Sequence, residues 1–142
     1  MKKRITTIIF LFFLAQNHAQ ELGLRFGDIV GGDIALDVAL PVGEASRIRA
    51  DISFNKGLGT ELLWDFIYQP IDGESLHWYL GAGPYILLGS PFTLGAVGEI
   101  GLEYRFSEIP LTIGFDWRPY FRLIDNTNLG FNRFGLNVRW VL

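Results

Sequence analysis

Between Arg47 and Asn55 the sequence RIRADISFN alternates without a break. Arg47, Arg49, Asp51, Ser53 and Asn55 share one parity, and Ile48, Ala50, Ile52 and Phe54 share the other. A period of two requires an extended strand with two unlike faces. The same alternation recurs along the chain. The clusters DIVGG, VGEA, KGLG, PIDGE, GSP, SE and IDNTNLGF divide it into eight segments: 20–27, 33–41, 47–55, 59–69, 75–88, 92–106, 109–122 and 131–142. Such Gly-, Pro-, Asn- and Asp-rich breaks read as turns. Most segments are near the roughly 9–11 residues that a tilted strand needs to cross a bilayer. No helical period appears after residue 20. The pattern predicts an all-β fold: an eight-stranded antiparallel up-and-down transmembrane β-barrel over 20–142, closed so that no strand edge is left unpaired.

Sorting by parity separates two chemistries. One face carries Leu24, Leu36, Ile52, Leu62, Trp64, Trp78, Leu102, Phe115, Trp117, Leu136 and Trp140 among many similar residues, and no ionisable acid or base. The other carries Arg25, Asp37, Arg47, Arg49, Asp51, Glu61, Asp65, Glu99, Glu103, Arg105, Asp116, Arg118, Arg133 and Arg139, with Glu21, Asp33, His77 and Arg122. Most strand glycines share the charged face, Gly98 being the exception. An eight-stranded lumen is too narrow for the bulky apolar set, four Trp included. The expected arrangement is therefore apolar side outward, with a charged lumen plugged by ion pairs.

The choice of cation points the same way. Beyond the first four residues the chain has eight Arg and a single Lys, Lys56. A guanidinium offers a planar fork for carboxylates in a confined space, which an ammonium does not. Aromatic residues fall toward the segment ends. Tyr68, Trp78, Tyr104, Phe106 and Trp140 are expected near one lipid interface, and Trp117 and Phe121 toward the other.

The N-terminus reads MKKRITTIIFLFFLAQNHAQ: a basic start, an apolar run from Ile8 to Ala15, and small Ala19 before a cut. This is the pattern of a helical secretory signal peptide over 1–19. Without Lys2, Lys3 and Arg4, nine basic side chains face fifteen acidic ones, a net charge near −6, which argues against a nucleic-acid partner. The chain has no cysteine, so an exported domain must find its stability elsewhere than in disulfides, and a closed sheet would serve.

With a leader, eight alternating segments, the stretches YLGAGPY (79–85) and GLEYRF, and the final RFGLNVRWVL, the chain resembles the small outer-membrane β-barrel family of Gram-negative bacteria. The resemblance implies residence in outer-membrane lipid and insertion by the barrel-assembly machinery. Many members end in an aromatic residue; this chain ends in Leu142, with Trp140 two places earlier on the same face. A monomer is expected.

Chemistry is thinly represented. His77 and Ser75 share one face, with Glu61 or Asp65 available to orient the ring, so a lipid-modifying membrane enzyme is one alternative. A soluble exported barrel binding an apolar ligand is another. The carboxylates Asp37, Asp51, Glu61, Asp65, Glu99 and Glu103 are matched by arginines on their own face, so ion pairing is their expected role. No spacing of His or Cys suits zinc. No metal, cofactor or catalytic residue is expected.

Overall fold

A computed structural model describes Ile5 and residues 20–29, 32–42, 45–54, 57–73, 75–89, 92–124 and 127–142. The signal segment expected over 1–19 lies outside the described residues, apart from Ile5. The strands are β1 (Glu21–Ile29), β2 (Gly32–Pro41), β3 (Arg47–Ser53), β4 (Leu58–Asp72), β5 (Leu76–Leu88), β6 (Thr93–Arg105), β7 (Leu111–Trp117), β8 (Tyr120–Ile124), β9 (Asn128–Gly130) and β10 (Phe134–Val141).

These ten strands make eight staves. β7 and β8 are one stave interrupted at Arg118-Pro119, because proline has no N–H to give the ladder. The register against β6 is the same on both sides of the break: Trp117 pairs with Ile100 and Tyr120 with Val97. Gly98 N bridges the gap by donating to Pro119 O at 2.9 Å. β9 and β10 are likewise one stave. Three steps from Trp117 to Tyr120 are matched by four steps from Phe134 back to Gly130, so residues 131–133 form a bulge. Neighbouring staves are antiparallel, and the cylinder closes where β1 pairs with β10.

The expectation of eight staves agrees with this architecture; several boundaries shift by a residue or two, and two differ more. The segment IDNTNLGF reads as one loop, yet Asn128–Gly130 pairs with Tyr120–Arg122. Backbone pairing needs no alternation, so this short extension leaves no pattern. PIDGE reads as a turn from Pro70, but β4 continues to Asp72. The reversal falls at Gly73, whose φ of 62° suits glycine.

Burial is inverted relative to a water-soluble protein. Arg25, Arg49, Arg118 and Arg139 are fully buried, while Leu24 is 43% exposed and Trp64 57%. Leu22, Phe26, Leu36, Leu62, Leu102, Phe115 and Leu136 also stand on the outer surface. The small apolar cluster inside comprises Ile29, Ala35, Leu63, Tyr85 and Val97, with Leu87 and Tyr120 against it.

Glycine sets how closely the staves coil. A Cβ on Gly23 would strike the Val138 carbonyl oxygen across the β1–β10 seam. The obstacle is backbone, so no side chain can swing aside. Gly23→Ala is expected to lower stability by roughly 1–3 kcal/mol, measured as a lower urea midpoint for the protein refolded in detergent micelles.

Candidate functional site

The lumen is built by the charged parity of every stave. Across β2, β3 and β4 the register sets Asp37 opposite Asp51, and Asp51 opposite Glu61. A row of like charges opposes folding unless cations enter it. They come from several walls. Arg118, at the β7–β8 break, reaches Asp51 at 2.6 Å, Glu99 at 3.0 Å and Glu61 at 3.2 Å. Arg49 holds Asp37 at 2.7 Å and Glu99 at 3.0 Å. Arg139 holds Asp37 at 3.0 Å and also grips Glu103.

Toward the end that carries the termini, Arg47 pairs with Asp65 and Glu103, each at 2.7 Å. Arg105 reaches Glu21 at 3.2 Å. Arg25 forks onto Asp116, Nη2 at 2.7 Å and Nε at 3.1 Å, and its Nη1 donates to the Asp28 carbonyl at 2.7 Å. Among the described residues, seven arginines thus meet eight carboxylates within 4 Å. Asp33, which the alternation puts on this face, is exposed.

Lumen glycines make room for this network. The Arg25 guanidinium lies over Gly135, the Tyr79 ring over Gly101 and the Asn137 amide over Gly114. Tyr79, Asn137 and Tyr85 are buried lumen residues that a search for charge passes over. Their signal is parity: Tyr79 and Tyr85 stand an even number of places from His77.

One aromatic is misplaced by simple alternation. Tyr68 is expected at a lipid interface but points into the lumen. A bulge between Asp65 and Ile67 shifts the register by one, which turns the side chains from Ile67 to Pro70 to the opposite face. Its hydroxyl donates to Glu103 Oε1 at 2.7 Å, and the Arg47 guanidinium lies 4.3 Å from its ring centroid. Tyr68→Phe is expected to cost about 1–2 kcal/mol while leaving the barrel closed, a difference to be read from urea unfolding.

The other interface aromatics lie on the outer surface. Tyr104 meets Phe106 edge to face at 5.0 Å, near the terminal end. Trp140, Trp78 and Phe121 are also on the outer face. Trp117 is on that face too, but midway along the 111–124 stave and opposite Phe134, not near a rim. Its Nε1 donates to the Phe131 carbonyl at 2.6 Å.

His77 sits at the terminal end, its ring stacked on Tyr68 at 4.9 Å. Its Nδ1 has no hydrogen-bond partner among the described residues. Glu61 and Asp65 are held by Arg118 and Arg47 respectively. No grouping of His, Cys, Asp or Glu among the described residues could hold a metal ion. Most bulky apolar side chains are outside, and those inside, Ile29, Leu63, Tyr85 and Val97, pack against one another. The chain matches no family model, no curated protein and no solved structure.

Proposed function

We propose that this chain is an exported, monomeric, integral outer-membrane β-barrel protein of the small-barrel kind. Its lumen is closed by ion pairs, and its role is structural or interactive, without catalysis. The observation that carries this reading is the inversion of the two faces. A continuous apolar belt on a closed cylinder suits hydrocarbon, whereas in water so large an apolar surface would associate. Closure supports the reading too, since every strand in lipid must satisfy its backbone within the sheet. No helix among the described residues is long and apolar enough to cross a membrane, so the crossing would fall to the strands. Insertion by the barrel-assembly machinery would follow, with the terminal end in the periplasm.

Cell fractionation tests this. The protein is expected in carbonate-washed outer membranes and to require detergent for release. Recovery in the detergent-free periplasmic fraction would overturn the proposal.

A further inference from the structure

The ion-pair network is not evenly balanced along the barrel. At the end away from the termini, Arg133 is 8% exposed. Its nearest carboxylate oxygen, on Glu61, is 3.7 Å from Nη1, too long for a hydrogen bond. Glu61 also serves Arg118, at 3.2 Å. Arg122 shares this end: it pairs with Gly95, which on its other side pairs with Tyr85. Among the described residues it makes no salt bridge, and its Nε is buried without a partner.

Two tyrosines complete the group. The Arg133 guanidinium stacks 3.7 Å from the Tyr120 ring centroid and 5.3 Å from that of Tyr85. Stacking satisfies the face of the guanidinium, while its Nη1 is buried without a hydrogen-bond partner among the described residues. The Tyr85 hydroxyl, on a side chain 1% exposed, also has no partner among the described residues.

From this geometry we infer that the mouth opposite the termini is a binding site for a phosphate-like oxyanion, held by Arg122, Arg133 and the Tyr85 hydroxyl. Tetrahedral oxyanions accept several in-plane guanidinium and hydroxyl bonds at once. They would also supply the negative charge that Glu61 alone does not. The site rests on the barrel's interior and does not require the membrane proposal. Only the source of the anion does, being either free phosphate or the phosphate of a lipid headgroup.

The test uses the full mature chain refolded in alkyl maltoside micelles, which contain no phosphate. Inorganic phosphate is titrated at constant ionic strength, with binding followed by calorimetry and by the urea midpoint. Saturable binding is expected, weakened roughly tenfold or more in Arg122→Gln and in Arg133→Gln, each replacing charge-assisted hydrogen bonds. Arg105→Gln, at the opposite end, should leave it unchanged. Circular dichroism confirms folding of each variant; if Arg133→Gln does not fold, Arg122→Gln carries the test. Equal binding by wild type and Arg122→Gln, or no saturable binding in wild type, would overturn the site. The second arm adds micelles doped with a bisphosphorylated lipid. If inorganic phosphate competes with the lipid's effect, a headgroup is a source; if the lipid has none while free phosphate binds, free phosphate is the source.

Discussion

Arg118→Ala is expected to destabilise the barrel by about 3–5 kcal/mol, the usual cost of stripping one partner from a buried ion pair. Arg118 is fully buried and lies within 3.2 Å of Asp51, Glu61 and Glu99. Its loss leaves those carboxylates packed together without the cation that links them. The urea midpoint of the refolded protein is the readout. Asp51→Asn in the same chain should recover part of the loss, because it removes one of the stranded charges and the two changes couple. Arg133→Ala should cost less, since its one carboxylate contact is 3.7 Å long. A loss below about 1 kcal/mol for Arg118→Ala would mean that water reaches these groups.

Leu24→Arg should be nearly as costly, for the opposite reason. Leu24 stands on the outer face midway along β1, paired with Leu36 and Val138. An arginine at the bilayer midplane costs roughly 2–4 kcal/mol on a barrel's lipid face. On a barrel exposed to water the same change would fall within about 0.5 kcal/mol of neutral. Refolding into phospholipid vesicles, with folded yield and unfolding midpoint measured, separates the two cases. Ser107→Arg, in the exposed 107–110 connection, serves as the control and should refold normally.

Alternation made the staves legible because one buried face and one outer face impose a strict period of two. Arg47, Arg49 and Asp51 could be sorted from Ile48, Ala50 and Ile52 by counting alone. Counting fails wherever the backbone inserts a residue. The β4 bulge carries Tyr68 into the lumen, and nothing in the stretch DFIYQP marks it. The Arg118-Pro119 break sets Arg118 among four carboxylates, yet in sequence it is only one more arginine of the right parity. Which cation meets which carboxylate depends on register across the lumen. The Arg49–Glu99 pair spans fifty residues, a separation that local pattern does not encode. Ile52 shows the same limit in small: it lies mid-segment in 47–55 but one residue from the end of β3.

If the apolar outer face meets lipid, the tryptophans report on it directly. Trp64, Trp78, Trp117 and Trp140 are the chain's only tryptophans, and all four lie on the outer face. The decisive measurement is their fluorescence after refolding into vesicles of phospholipid brominated along the acyl chain. Strong quenching is expected, with little effect from a water-soluble quencher such as acrylamide. Quenching by acrylamide with none from the brominated chains would place the outer face in water instead.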